Sequence, residues 1–261
     1  MMPSISVVTV TFNAARVLPG LIDSLRAQSD RCFEWIVVDG ASTDGTVDIL
    51  KSAGALVGKW VSEPDCGIYD AMNKAVAMAC GSHYLVCGAD DRLATDAIGL
   101  YRKCLLQQPQ ADMIVAGVRV GDRCLTGYRP GKRWLGHTAM FTQHSVGTLI
   151  QRKLHETHGD YDLRFSVLAD GYFLKKAAID PNVKIVSADF IAGDFSPGGT
   201  SGALMARTLS ELWSIQLLTE PSPWLQTIIH GLRIIRYYSR IKQDTATFKA
   251  GLKRHQIGSE R

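Results

Sequence analysis

The first hundred residues alternate short, β-branched apolar runs with stretches of helical periodicity. Apolar residues between the first two runs recur every three or four positions, as on one face of a helix. A second helix is predicted after a cap at Ser42 or Thr43, and a third over 68–79 with Gly81 as its C-cap. The apolar runs have the length and composition of strands, and they cover residues 5–12, 33–40, 58–63 and 83–88.

Strict alternation of strand and helix predicts right-handed βαβ units and therefore an α/β fold with a doubly wound, mainly parallel sheet. From about residue 112 the pattern changes to strand, turn and strand, and a further strand is predicted near 183–195. Helices are predicted near 151–158 and 168–179, and helical sequence resumes at Met205. The pattern therefore predicts one α/β domain over 1–204 and a helical extension over 205–261.

The composition is that of an ordinary globular protein, with 46% apolar and 21% charged residues and a net charge of +4. The six cysteines stand singly without a CxxC pair, which argues against a zinc site and against a secreted disulfide framework. The first twelve residues have the pattern of a strand rather than a signal peptide. No apolar run approaches the ~18 residues of a membrane span. These features together predict a cytoplasmic protein with reduced thiols.

Acidic residues follow three of the predicted strands at the point where each ends. Asp39, Glu63 and the pair Asp90 and Asp91 occupy these positions. Ligands of open α/β sheets bind at the carboxyl ends of the strands, so these side chains are expected on one rim. Adjacent carboxylates offer hard oxygen ligands to Mg²⁺ or Mn²⁺, which can bridge the phosphates of a ligand. The alternative is a solvated loop, but Asp39 on the neighbouring strand favours a nucleotide diphosphate site.

Two other segments superficially suggest known sites. GYRPGKRW at 127–134 is one residue too short for a phosphate-binding loop, and Arg133 stands where Ser or Thr would bind magnesium. It is expected to be a basic loop near phosphates or a plain turn. HETH at 155–158 lacks metalloprotease spacing and a third ligand, so His155 and His158 are expected at the surface. No GxGxxG dinucleotide fingerprint is present.

Five segments, taken in order over residues 4–201, resemble the family 2 inverting glycosyltransferases of the GT-A fold. ISVVTVTFNAA resembles the strand and loop that cradle the nucleotide base, and FEWIVVDGASTDGT resembles the strand whose last Asp contacts it. The third, SEPDCGIYDAMNKAVAMACGSHYLVCGADD, is similar to the stretch leading into the DxD metal motif. LRFSVLADGYFLKKA resembles the segment with the catalytic base, and FSPGGTS resembles a glycine loop of one branch. Within the family the chain is similar to enzymes that build bacterial exopolysaccharides such as colanic acid.

The resemblance implies a role for each matching residue. Asp170 would be the general base that deprotonates the acceptor, and Asp90 and Asp91 would hold Mn²⁺ or Mg²⁺. Phe12 would lie against the base of the bound nucleotide, and Asp39 would hydrogen-bond this nucleotide base. The remaining donor-side positions would be Thr11, Asn13, Glu63, Asn73, Lys74 and Asp90. His144, Gly198, Gly199 and Ser201 would lie in the acceptor cleft or its loop.

The chain departs from the family pattern at two positions. Gly88 replaces the usual first Asp of DxD, and Ser145 follows His144 where Gln is commoner. The implied reaction moves a sugar, expected from a UDP-sugar, to a saccharide or lipid-linked acceptor. The rival hypotheses are a sugar-nucleotide nucleotidyltransferase and a non-catalytic nucleotide-sugar-binding protein. The latter would lose the metal pair and the base, and all three carboxylates are present.

The segment 224–243 combines an apolar helical stripe with basic and aromatic residues. Such a helix can lie on an anionic membrane surface, or it can pack on its own domain with a solvated basic face. A peripheral contact with the inner face of the plasma membrane is therefore a further expectation. Nothing in the composition points to nucleic acid.

Overall fold

The computed structural model describes residues 4–196 and 205–258. The chain divides into two compact units, and the first ends at Ser196. Residues 197–204 lie outside the described residues, so the proposed boundary after residue 204 stays a prediction.

Within residues 4–196, nine strands form one sheet in the order β3-β2-β1-β4-β8-β6-β9-β5, with β7 paired to β6. The pairings among β1 to β4 are parallel, as is β6 with β9, whereas β8, β7 and β5 each pair antiparallel. The strands are β1 Ile5–Thr11, β2 Phe33–Asp39, β3 Lys59–Ser62, β4 His83–Val86, β5 Arg92–Leu93, β6 Met113–Val120, β7 Arg123–Leu125, β8 Thr148–Gln151 and β9 Ile185–Asp194. The α/β prediction is confirmed, but the sheet is mixed rather than mainly parallel.

The helices of this unit are α1 Leu18–Arg26, α2 Thr46–Ala53, α3 Ile68–Met78, α4 Ala97–Gln107, α5 His137–Met140, α6 Leu154–His158 and α7 Ala169–Ile179. The apolar stripe predicted on the first of them is real, because α1 buries Leu18, Leu21, Ile22 and Leu25. These side chains join strand residues such as Val7, Val37 and Leu85 in one apolar core. The rigid sheet then fixes the positions of the loops at its carboxyl rim.

Two predicted helix caps are wrong. Helix α2 begins at Thr46, because the Ser42 hydroxyl is bonded to Asp39 and Asp44 accepts from the Thr46 amide instead. Helix α3 ends in an extended Ala79 rather than at Gly81. A Cβ on Gly81 would lie 2.4 Å from the Ser6 hydroxyl oxygen, so glycine is needed there for close packing.

The second unit contains α8 Met205–Thr219 and α9 Pro223–Gly258. They pack through stacked rings of Trp213 and His230, with centroids 4.8 Å apart, and through a buried hydrogen bond between Gln216 and Gln226. Among the described residues, every helix is too short or too polar to cross a bilayer.

Candidate active site

The carboxyl ends of β1, β2 and β3 lie side by side because Thr11, Asp39 and Ser62 are partners in the strand register. Asp39 is fully buried at this rim. Its carboxylate accepts hydrogen bonds from the hydroxyls of Thr11, Ser42 and Ser62 and from the Ser42 amide, at 2.5–2.9 Å. Burial alone would raise the pKa of Asp39, but these bonds outweigh it and hold the pKa below its ordinary value. Asp39 therefore anchors the rim, and a direct contact with a base stays a prediction.

Phe12 follows β1 and is 68% exposed, so it is not a core residue. The next residue, Asn13, has a left-handed backbone with φ 49°. Its side-chain oxygen accepts from the Thr43 amide, and its own amide donates to the Ser42 hydroxyl. The loops after β1 and β2 thus hold each other, and they present the Phe12 ring to solvent beside the rim.

The other residues predicted to lie on the donor side, Glu63, Asn73 and Lys74, make contacts within the chain. Lys74 pairs with Glu63 at 2.8 Å and with Asp70 at 3.3 Å, which raises the pKa of Lys74. The Asn73 amide bonds the backbone N–H and C=O of Tyr161, each at 2.9 Å. Asn73 thus joins α3 to the segment before α7, and its role in binding the nucleotide-sugar donor stays a prediction.

The adjacent carboxylates after β4 have different environments. Asp91 is buried and accepts from the Ser145 hydroxyl at 2.5 Å, the Gly88 amide at 2.9 Å and the Ser196 amide at 3.0 Å. Burial raises the pKa of Asp91 above its ordinary value, although these three bonds oppose the rise. Asp91 thus fastens the loop, and its two oxygens together accept three hydrogen bonds from the chain.

Asp90 is only partly buried, and its carboxylate makes no hydrogen bond or ion pair within the part of the chain that the structure describes. Its backbone carbonyl is held by the Ser196 hydroxyl at 2.7 Å, which fixes the loop around it. Among the described residues no group of three or more His, Cys, Asp or Glu could hold a metal ion. A cation here would rely on one carboxylate and on oxygens from the ligand and water, which suits Mg²⁺ and Mn²⁺.

Gly88 stands where the resemblance leads one to expect an Asp. A Cβ at this position would lie 2.9 Å from an Asp91 carboxylate oxygen and 3.1 Å from one of Asp90. The Gly88 amide also donates to Asp91, so the loop closes tightly on itself. A side chain at position 88 would therefore displace the carboxylates that follow it.

Asp170 lies in the first turn of α7, where the helix dipole favours a negative charge. The Tyr69 hydroxyl, from the first turn of α3, lies 2.7 Å from Asp170 Oδ1 and 2.7 Å from the Val167 carbonyl. His144 Nδ1 lies 3.6 Å from Asp170 Oδ2. The Asp170 side chain keeps 23% of its surface exposed, so it is oriented by the protein and still accessible to a reacting group.

Three residues of this site escaped the sequence analysis, namely Tyr69, Tyr161 and Tyr84. Tyr161 bonds His144 at 2.9 Å and Tyr84 at 2.7 Å, and Tyr84 reaches His155 at 2.8 Å. Each bond joins residues 17 to 77 positions apart. The HETH histidines were expected at the surface, and this is wrong, because both side chains are 8% exposed. Gly198, Gly199 and Ser201 lie outside the described residues.

The segment 127–134 does not form a phosphate loop between a strand and a helix. It leads into a short 3₁₀ helix over Pro130–Leu135, and its lysine and both of its arginines are exposed. The rejection of a phosphate-binding loop is consistent with this geometry.

Residues 6–194 match the family described as Glycosyl transferase family 2. The chain belongs to glycosyltransferase family 2. This match covers both the rim with Asp39 and the α7 segment with Asp170, which makes the family resemblance seen in the sequence correct.

Curated relatives agree with the family. A PGL/p-HBAD biosynthesis glycosyltransferase of Mycobacterium tuberculosis (strain H37Rv) is 34% identical over 66% of this chain and 68% of its own length. A putative teichuronic acid biosynthesis glycosyltransferase, TuaG of Bacillus subtilis, is 32% identical over 37% of this chain and 39% of its own length.

Solved structures share the fold at low identity. S. aureus TarS is 16% identical with a TM-score of 0.62, and the match covers 90% of this chain but only 44% of TarS. The mannosyltransferase PcManGT from Pyrobaculum calidifontis is 18% identical with a TM-score of 0.65, over 97% of this chain and 76% of the other. The GT-A architecture expected from the sequence is therefore confirmed.

Proposed function

We propose that this family 2 glycosyltransferase moves a sugar from a UDP-sugar to a hydroxyl of a saccharide or lipid-linked glycan, with inversion, in bacterial polysaccharide biosynthesis. The observation that carries the proposal is Asp170, a partly exposed carboxylate fixed by Tyr69 and faced by His144. A general base needs this combination of orientation and access.

The chemistry assigned to Asp170 is a single proton transfer. The acceptor hydroxyl gives its proton to the carboxylate as the acceptor oxygen bonds the anomeric carbon. The bond from that carbon to the diphosphate oxygen breaks on the opposite face, and the electron pair leaves with the nucleoside diphosphate. Because attack and departure are on opposite faces, the anomeric centre inverts. Tyr69 keeps the carboxylate in place, which reduces the orientational cost of the step.

The cation belongs with Asp90 in this proposal, because Asp91 is occupied by three donors of the chain. When bound, Mn²⁺ or Mg²⁺ would neutralise charge developing on the leaving diphosphate. PcManGT was solved with GDP-Man and Mn²⁺, which supports a divalent cation here. In this proposal Asp91 holds the loop, and its role as a second metal ligand stays a prediction.

The donor is proposed to place its base against Phe12 and its diphosphate near Asp90. TarS was solved with UDP and with UDP-GlcNAc, which supports a uridine donor, whereas PcManGT was solved with GDP-Man, so both nucleotides are compared in the test below. The exposed ring of Phe12 offers an apolar face on which a base can stack. Thr11, Asn13 and Asp39 then serve to shape the loop that presents it.

A peripheral membrane contact through α9 is the second part of the proposal. Trp224, Ile228, Leu232 and Ile235 recur at helical spacing and are exposed, Trp224 by 83%. Gln226 and His230, which contact α8, lie on another side of the helix. Exposed Arg236, Arg240 and Lys242 adjoin the apolar stripe, and this pairing of apolar and basic groups suits an anionic lipid surface.

The membrane contact is tested by co-sedimentation of the full chain with phosphatidylcholine vesicles with and without phosphatidylglycerol. Binding is expected only with the anionic lipid, and Leu232→Glu is expected to abolish it. Leu106→Glu, at an exposed apolar position of α4, is the matched control and should bind normally. Equal sedimentation of the two variants would show that α9 is not the contact.

The transfer itself is tested by titrating UDP-GlcNAc, UDP-glucose and GDP-mannose with and without Mn²⁺, and by measuring nucleotide release. We expect uridine donors to bind in a Mn²⁺-dependent way, and Asp170→Asn to retain this binding while release of UDP falls at least a hundredfold. Asp162→Asn is the control, because Asp162 pairs with Arg164 outside this site. Failure of every donor to bind would overturn the proposal. Release of pyrophosphate from UTP and a sugar 1-phosphate would identify the rival nucleotidyltransferase.

A further inference from the structure

A row of buried polar side chains leads away from the candidate base, and we name it the buried polar chain. It consists of Asp170, His144, Tyr161, Tyr84 and His155, in that spatial order. The successive contacts are 3.6 Å from Asp170 to His144, then 2.9, 2.7 and 2.8 Å to Tyr161, Tyr84 and His155. Its members come from the loop before β8, the segment before α7, strand β4, and helices α6 and α7.

Little water can reach the middle of the buried polar chain. Tyr84 is fully buried, Tyr161 is 1% exposed and His144 is 5% exposed. Aromatic rings pack around it, with His155 stacked on Phe173 at 4.3 Å between centroids. Buried hydroxyls and imidazoles without water must satisfy one another, so the position of one proton determines the next.

The charge of His144 restricts these proton positions. Burial lowers the pKa of His144, although the Asp170 carboxylate opposes this. The ring is therefore neutral near pH 7 and has one N–H. If that N–H is on Nδ1, it points at the Asp170 carboxylate, and Nε2 must accept a proton from Tyr161. If it is on Nε2, the Nδ1 lone pair of the buried ring faces the negative carboxylate across 3.6 Å, which is unfavourable.

The far end of the buried polar chain, at His155, fits the first arrangement. Tyr161 donates to His144, so its oxygen accepts from Tyr84, and Tyr84 in turn accepts from His155 Nε2–H. His155 Nδ1 then has no proton, and it makes no hydrogen bond within the described residues. The groups around the His155 ring are the Asp160 carboxylate, at 3.7 Å from Nδ1 and 74% exposed, the Gly159 backbone, His144 and Lys176. Because Asp160 is solvated, its preference for a proton on Nδ1 is weaker than that of Asp170.

We propose that Tyr161 is a positioning residue that locks His144 in the Nδ1–H tautomer, so that this N–H faces and orients the Asp170 carboxylate. Tyr84 and His155 fix which atom donates and which accepts in the hydrogen bonds beyond Tyr161. The tautomer stands on the geometry alone, and its catalytic consequence rests on the proposed function. Loss of the lock leaves the Asp170 carboxylate oriented by the Tyr69 hydroxyl alone.

Imidazole ¹⁵N NMR of the full chain with ¹⁵N-labelled histidine tests the tautomer directly, with His144→Gln to assign the signal. We expect the Nδ1–H form for His144 in the natural chain and a shift to Nε2–H in Tyr161→Phe. The control is Tyr101→Phe, which also removes a buried tyrosine hydroxyl, one that bonds the Val146 carbonyl, and it should leave the His144 tautomer unchanged. An Nε2–H His144 in the natural chain overturns the proposal, as does an unchanged tautomer in a folded Tyr161→Phe.

Tyr84→Phe keeps the inference testable if Tyr161→Phe does not fold. His155 Nε2 then loses its acceptor, so we expect the His155 proton to move to Nδ1, towards Asp160. A His155 already in the Nδ1–H form in the natural chain would contradict the proposed direction of the bonds.

The kinetic test measures UDP release from UDP-GlcNAc over a range of donor concentrations. Tyr161→Phe is expected to lower kcat about tenfold and to leave KM unchanged. Tyr101→Phe should keep the kcat and KM of the unsubstituted protein even where its thermal stability falls. If the tautomer changes as expected but kcat does not, the positioning role of Tyr161 fails. The assignment of Asp170 as base fails separately, if Asp170→Asn keeps its UDP release.

Discussion

Ser145 and Asp91 are joined by a 2.5 Å hydrogen bond that ties the loop before β8 to the loop after β4. The neighbouring His144 faces Asp170. Two consecutive residues thus contact the loop of the candidate cation site and the candidate base, and Val146 continues the connection by donating its amide to the Val86 carbonyl. A change at Ser145 is therefore expected to reach both halves of the site.

Ser145→Ala should lower the free energy of unfolding by about 1–2 kcal/mol, because Asp91 loses one of three donors while staying buried. Donor affinity should fall as the Asp90 loop loosens. Thermal unfolding and UDP titration measure the two effects. Ser52→Ala, where the serine bonds only a carbonyl of its own helix, should change neither. If Ser145→Ala kept the unfolding free energy and the UDP affinity of the unsubstituted protein, the hydrogen bond between Ser145 and Asp91 would be dispensable.

Asp90→Asn and Asp91→Asn should separate the roles of the adjacent carboxylates. Asp90→Asn should keep natural stability and lose the Mn²⁺-dependent part of UDP binding. Asp91→Asn should be less stable, because an amide NH₂ would face the donors that the carboxylate accepts. Isothermal titration with and without Mn²⁺, beside thermal unfolding, gives both readouts. If Asp91→Asn were as stable as the unsubstituted protein but its UDP binding no longer depended on Mn²⁺, Asp91 would be a metal ligand.

Phe12→Ala should weaken UDP binding about tenfold, since stacking of a base on an aromatic ring is worth roughly 1–3 kcal/mol. Its thermal stability should not change, because the ring is already exposed. Leu106→Ala provides a comparison at another exposed apolar position, on an element without a predicted donor contact. Unaltered UDP affinity in Phe12→Ala would place the base elsewhere.

Asp39→Ala should destabilise the fold by roughly 3 kcal/mol, because it leaves three hydroxyls and an amide without their acceptor at a buried rim. The pKa of Asp39 is below its ordinary 3.8 in the folded chain. Its contribution to stability is therefore present above about pH 4 and is lost as the pH falls through the folded pKa. Denaturant unfolding at pH 7 measures the loss, with the exposed Asp48→Ala as the unaffected reference. A small effect would mean that the hydroxyls find other partners.

Acid should destabilise the first unit well before its carboxylates are protonated. Burial lowers the pKa of His155 from 6.5 to about 4, despite opposition from Asp160, and burial also lowers the pKa of His144. The unfolded chain therefore binds more protons than the folded chain below pH 6.5. Each such histidine then lowers stability by up to about 1.4 kcal/mol per pH unit. Melting temperatures from pH 7.5 to 5 should fall, and less steeply in His155→Gln. Equal slopes would contradict a buried neutral His155.

The strands at the donor rim were predictable because their β-branched runs stay in one segment of the chain. Strand β8 was missed, because its four residues gain their stability from pairing with β4 and β6 on either side. The acidic rim followed from strand ends alone. The different environments of Asp90 and Asp91 did not, since burial of one carboxylate depends on Ser145 and Ser196, more than fifty residues away.

The tyrosines beside Asp170 left no signal in the sequence. A tyrosine in an amphipathic helix or a strand is typical of core packing, and its hydroxyl partner is visible only in three dimensions. Tyr69 and Asp170 are 101 residues apart. The family resemblance pointed to Asp170 as the candidate base, while the groups that contact it were visible only in the structure.

The distance along the chain between Tyr69 and Asp170 also sets an order of assembly. Strands β1 to β4 lie within the first 86 residues and pair with one another, whereas the Asp90 loop also needs Ser145 and Ser196. The surroundings of Asp170 require β4, the loop before β8 and α7 to meet, and such long-range contacts form late in folding. During synthesis the paired strands β1 to β4 would thus be available first, and a nascent chain stalled near residue 140 would lack the candidate base Asp170.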